Sequence, residues 1–257
     1  MEKLTKAPVF YALAQIHFNP VSLMGDYVPK IQERLRQKFP DFRQEMLQRI
    51  ELKVGEKSDI QTHGMPRWNF MNSKGTEGYL LHTDSLVFHT TKYDRFSVLL
   101  EQLLVGLKLI HEVVLLSYVE RIGLRYLNAV TPYGQGEGLD KYLLPCVLGL
   151  SHASLGTLSH NFLETAFQNL CGTLGCRIVI RDNAIGMPAD LHPLALRIEE
   201  RFASIMGLHA ILDYDQFAEE RFDFKVEDIE SKLKLMHDLV SKVFEATVTP
   251  FALEQWK

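Results

Sequence analysis

The chain has 257 residues, 46% of them apolar and 23% charged, proportions that supply a core of ordinary size and exclude wholesale disorder. Its 28 Lys and Arg against 32 Asp and Glu leave a formal charge of −4, so no global positive field draws in nucleic acid or an acidic membrane. The opening segment is broken by Pro8, Gln15 and His17, unlike a signal peptide, and no stretch reaches the roughly 18 apolar residues of a membrane span.

A cytoplasmic protein with no membrane partner is therefore expected. Cys146, Cys171 and Cys176 are odd in number and show neither CxxC spacing nor a His-x-x-x-His partner. They are expected to be reduced, mostly buried thiols, with neither metal nor cofactor implied.

From Pro8 to Val21 residues alternate with apolar groups on both sides, the pattern of a strand buried on both faces. Val28, Ile31, Leu35 and Phe39 then recur at helical spacing, and Pro40 stops the helix. Ile50, Leu52 and Val54 predict a half-exposed strand, and the polar stretch Gly55 to Gly64 predicts a mobile loop. Trp68 to Met71, Glu77 to His82 and Ser85 to Thr91, separated by Asn-Ser-Lys-Gly and Thr-Asp turns, predict an antiparallel meander. Phe96, Leu99, Leu103, Leu107, Ile110 and Val114 trace one face of a long helix, with Asp94 placed to cap or charge its start.

Ser117 to Val130 returns to strand character, and Pro132, Gly134, Gly136 and Gly138 break it. Leu139 to Leu150 predicts a short helix and Thr157 to Leu170 a strand, although the latter also fits a helical template. Cys176 to Arg181 and Leu208 to Tyr214 predict strands flanking the Pro-containing loop Ala184 to His192. Val226, Ile229, Leu233, Met236, Val240 and Phe244 define a long final helix.

The order strand, helix, strands, long helix thus occurs twice, which predicts an α+β fold of two related halves, 1–116 and 117–257, intimately packed. Each antiparallel meander needs cover for one apolar face, and each long helix has a stripe to supply it.

Candidate functional residues follow from parity. On the strand Tyr118 to Asn128, Arg121, Gly123 and Arg125 share a side. Two guanidiniums flanking a glycine suit a phosphate or carboxylate through forked hydrogen bonds. The alternative is pairing with internal carboxylates such as Asp84, Asp213 or Asp215. His82 and His89 lie on neighbouring strands with Asp84 in the turn between them, and if they share a face they could bind a metal or shuttle a proton, although the three or four convergent ligands of a metal site are not announced. Gly134-Gln135-Gly136-Glu137-Gly138 lacks the Lys-Ser/Thr of a phosphate loop and reads as a connection. Ser151-His152 and Ser159-His160 lack a nucleophile elbow. Trp68, Phe70, Tyr79, Phe88 and Tyr93 read as core, or else as a platform for stacking bases.

The strand Ala7-Pro8-Val9, the meander ending at Tyr93, the run Glu120-Arg121-Ile122-Gly123-Leu124-Arg125-Tyr126-Leu127-Asn128 and the Phe244 helix together resemble a sporadically distributed family of uncharacterised prokaryotic proteins of about this length. The resemblance implies no activity, cofactor or catalytic residue. Its patchy distribution implies an accessory role of the defence or toxin–antitoxin type. The expected function is a non-enzymatic binding protein for a protein partner or small anionic ligand, with Arg121, Arg125, Asn128, His82 and His89 as the ligand-binding residues and homo-oligomers left open. Nucleic-acid binding by a curved sheet is one alternative. A hydrolase or nuclease built on His82, His89, Asp213 and Asp215 is another.

Overall fold

The computed structural model describes residues 4–53, 59–134, 136–151, 153 and 155–257. It is an α+β fold built on one nine-stranded antiparallel sheet. The first half contributes β1 (Val9–Phe18), α1 (Met24–Leu35), β2 (Asp41–Lys53), β3 (Asp59–Met71), β4 (Glu77–Leu81), β5 (Ser85–Thr90) and α2 (Phe96–Val114). The second contributes β6 (Tyr118–Val130), α3 (Pro145–Leu148), β7 (His160–Asn169), β8 (Gly172–Asp182), α4 (Glu200–Ala203), β9 (Leu208–Asp223), α5 (Val226–Glu245) and α6 (Pro250–Trp256).

The strand order β2-β3-β4-β5-β1-β6-β9-β8-β7 displays the duplication. The leading strands β1 and β6 pair antiparallel at the centre, and each is flanked by the last strand of its own half, β5 or β9. The halves are thus joined through one continuous ladder, and β2 is the strand without a counterpart.

Strand alternation assigns two faces. Ala12, Ala14, Ile16, Phe70, Tyr79, Phe88, Leu124 and Leu212 point to the side where Leu103 and Leu107 of α2 and Leu233 and Met236 of α5 complete the main core. Trp68, Phe70, Tyr79 and Phe88 are all buried there, so these rings are core and supply no stacking platform. α2 begins from Arg95 in extended backbone, so the N-cap position is Arg95, with Asp94 one residue before it.

The opposite face is partly covered by a strap, residues 183–207, linking β8 to β9. Its Ile185, Met187, Leu191, Leu194, Ile198, Phe202 and Ile205 pack on Tyr11, Leu13, Val87, Leu127 and Ile211 in a second, smaller core. Two hydrogen bonds to the backbone of Arg197 fasten the strap further: Arg197 N–H donates to Gly75 O at 2.7 Å, and the side-chain Thr91 Oγ1 donates to Arg197 O at 2.6 Å. Gly75 takes φ +64° in the β3–β4 turn, a left-handed conformation that suits glycine at the point where the strap docks.

Three expectations need correction. The expected loop at 55–64 gives way to strand from Asp59 onward, paired to β2 across its whole length, while 54–58 lie outside the described residues. β2 itself starts at Asp41, eight residues before the alternation at Arg49, Ile50 and Leu52 suggests, and Asp41, Arg43 and Glu45 already alternate there with Phe42, Gln44 and Met46. Cys176 is buried, but Cys171 is half-buried and Cys146 exposed, so the thiols are not mostly buried. Gln135 and His152, named in the glycine loop and Ser-His readings, lie outside the described residues. Among the described residues no helix is long and apolar enough to cross a membrane.

Candidate functional site

Between the strap and the sheet lies a cavity of about 350 Å³. Its floor is the helix-distal face of β4, β5, β1, β6 and β9, and its walls include Arg67, His82, His89, Arg121, Arg125 and Asp215, with Asp190 and Pro193 above. Strand register explains the convergence. Gly78 pairs with His89 and Leu80 with Val87, which settles that His82 and His89 share this face. Leu13 lies opposite both His89 and Arg125, and Arg125 lies opposite Asp215.

Four of the five expected site residues therefore meet in one cavity. Asn128 does not. It is an odd number of positions from Arg121 and Arg125, so it faces the helices, where its Nδ2 donates to Leu212 O at 3.2 Å. There it borders a different cavity of about 530 Å³ beside α5. Part of its wall is made of groups that bond or stack on one another: His237 lies flat on Phe96 at 4.0 Å and its Nδ1 is 3.3 Å from Tyr126 Oη.

The three guanidiniums of the strap-side cavity differ in what they have left to give. Arg125 is buried, and its Nε and Nη2 donate to both oxygens of Asp213 at 2.8 and 2.7 Å. Its Nη1 donates to Asp190 of the strap. Burial opposes its charge, yet the two carboxylates more than offset this and hold it more firmly protonated than a free arginine. Arg67 is likewise buried and turns Nε and Nη2 to Glu45, with Nη2 also reaching Pro193 O at 3.4 Å. Asp190 is disfavoured as an anion by burial, but the hydrogen bond and charge of Arg125 hold its carboxyl below the usual range.

Arg121 is less committed. Its Nη1 donates to Gln15 Oε1 at 2.9 Å and its guanidinium lies over the Phe217 ring at 4.6 Å. Glu219 approaches only to 3.7 Å and is 72% exposed, a separation beyond a hydrogen bond and an exposure at which an ion pair is weak. Asp215 has the opposite charge and the same freedom. Among the described residues it makes no hydrogen bond or ion pair, and burial pushes its carboxyl up despite the nearby charges of Arg125 and Arg121.

The histidines are held neutral. His89 is buried, with Nδ1 3.0 Å from Tyr11 Oη and Nε2 unpartnered. Burial, aided by the charge of Arg67, brings its pKa down to about 3. His82 is also lowered, by burial first, with Asp84 working against it. No group of three or more His, Cys, Asp or Glu side chains among the described residues is arranged to hold a metal ion.

Reading the sequence missed Tyr11, Gln15, Arg67 and Asp190 as members of this site. Parity with Leu13 could have placed Tyr11 and Gln15. A carboxylate standing alone in the apolar strap segment Ala189-Asp190-Leu191 is the signal Asp190 offered. No protein-family model matches the chain, and no curated protein matches it.

Proposed function

We propose that this chain is a binding protein that takes a small polar molecule into the cavity beneath the strap. The observation that carries this reading is Gly123. It lies in the interior of β6 and lines the cavity. A Cβ built there would meet nothing closer than 3.6 Å, so neither neighbours nor backbone require a glycine. Glycine inside a strand costs roughly 0.5–1 kcal/mol relative to alanine. Here its effect is to leave open floor between charged side chains, the arrangement of a site shaped around a guest.

Binding suits these groups better than acid–base catalysis. A general base works best with a pKa near the operating pH, whereas His89 lies near 3. Arg125, the most deeply placed cation, is already held by two carboxylates.

The test is a comparison of wild-type protein with Gly123→Leu, a change that fills the floor without removing a polar group. Both are exposed to a small-molecule extract of cells, washed and denatured, and the released molecules are read by mass spectrometry. The wild type is expected to release at least one compound that the variant does not. Identical releases from two folded proteins would overturn the reading.

A further inference from the structure

We propose that the cavity binds a small zwitterion, a molecule with a carboxylate and a protonated amine a few bonds apart, the acid held by Arg121 and the amine by Asp215 across Gly123. The inference rests on the cavity being a binding site and adds the class of guest.

Counting what each charged group has left identifies the two ends. The forked donors of Arg125 go to Asp213 and Asp190, and those of Arg67 to Glu45. Of the three guanidiniums, Arg121 alone holds just one hydrogen bond among the described residues, Nη1 to Gln15. Its guanidinium carbon lies over the Phe217 ring at 4.6 Å, and with Nη1 committed to Gln15 the remaining N–H groups are available to a carboxylate.

Asp215 is the complementary group. A half-buried carboxylate without a donor is unusual, because ionised groups taken from water are normally paired. It stands opposite Arg125 in register and diagonally across from Gly123, which itself pairs with Phe217. Arg121 and Asp215 therefore border one glycine floor, feel each other's charge, and yet form no ion pair with each other. An open cation and an open anion separated by an empty floor are the imprint of a guest with both charges.

Single-charge guests fit less well. A simple anion would satisfy Arg121 but set a further negative charge beside Asp215 and Asp190 and leave Asp215 without a donor. A simple cation would enter among three guanidiniums. A zwitterion answers both groups and adds no net charge, and at about 350 Å³ the cavity accommodates an amino-acid-sized molecule.

The experiment uses the whole chain with free α-amino acids, β-alanine and γ-aminobutyrate as probes, read by thermal shift and then calorimetry. At least one zwitterion should raise Tm in a concentration-dependent way. Its N-acetyl and carboxamide derivatives should each bind at least about tenfold more weakly, the loss expected for one charge-assisted contact. Asp215→Asn should abolish the discrimination against the N-acetyl derivative, and Arg121→Gln that against the carboxamide. A hit whose N-acetyl derivative binds as tightly, or a panel in which no zwitterion raises Tm, would overturn the proposal. Gly123→Leu separates the two levels. A compound that needs the open floor but not both charges leaves the cavity reading standing and the zwitterion refuted, whereas zwitterions binding equally to Gly123→Leu would refute both.

Discussion

Arg125 and Asp215 face each other across two strands and have opposite roles. Arg125 resolves the choice between anion binding and internal pairing toward the latter, since Asp213 takes it in a two-pronged contact and Asp190 takes the third edge. Lysine cannot reproduce that fork. Arg125→Lys should therefore lower unfolding free energy by about 1.5–3 kcal/mol, the range of hydrogen bonds to charged groups, as measured by urea denaturation. A loss under about 0.5 kcal/mol, the scatter of exposed sites, would remove Arg125 from the fold's supports. Asp215 should respond in the other direction. Its folded pKa is raised by burial, so whatever stability its protonated form contributes is present at low pH and lost as pH rises through that value. At pH 8 the buried charge is a net cost, and Asp215→Asn should raise the midpoint; a lower midpoint would mean the carboxylate is stabilising after all.

Among the elements, α2 shows how tightly the main core specifies its own partners. Gly106 sits mid-helix over Tyr79, and a Cβ there would come within 2.4 Å of the ring. Tyr79 cannot yield, because Phe39 and Phe88 pack against it at 4.9 and 5.1 Å and its hydroxyl donates to Gln102 O. Helix propensity alone would make Gly106→Ala stabilising by about 1 kcal/mol. Overpacking costs typically 1–3 kcal/mol, so the expected outcome is a lower thermal midpoint, and a rise would show that α2 shifts freely. The helices and the meander were legible because their periods are carried by apolar side chains facing one core. The early part of β2 was less legible, because its period is carried by Asp41, Arg43 and Glu45 while Gln44 interrupts the apolar side between Phe42 and Met46. The strap was read only as a loop, because its packing depends on strands at the other end of the chain. The site divides the same way: spacing along β6 places Arg121 and Arg125 together, and the same alternation puts Asn128, an odd number of positions away, on the helix side, apart from the other expected site residues. The pairing of Arg125 with Asp190 joins positions 65 apart, which no local pattern announces.

At the scale of the whole molecule, one sheet covered by helices on one face and partly strapped on the other removes many histidines from water. His17, His82, His89, His209 and His237 are all lowered, in each case first by burial. A group whose folded pKa lies below its unfolded value of about 6.5 contributes stability that is present above that value and lost as pH falls, because the unfolded chain takes up the proton first. Stability should therefore decline from about pH 6.5 downward, before most carboxylates titrate. Asp190 and Glu45, both held low against their burial by the arginines they bond, add to the loss below about pH 4. His89 has the widest window, from about 6.5 down to about 3. His89→Gln should make the acid slope shallower by up to about 1.4 kcal/mol per pH unit, the value of one proton. Urea midpoints measured at pH 7.5, 6.0, 5.0 and 4.0 for both proteins decide this, and a wild-type midpoint unchanged between pH 7.5 and 5.0 would show that these histidines are hydrated in the folded state. The same measurement bears on the cavity. If His82 and His89 stay neutral there, positive charge for a guest comes from arginine alone, and binding should keep its strength from pH 8 to pH 6.5.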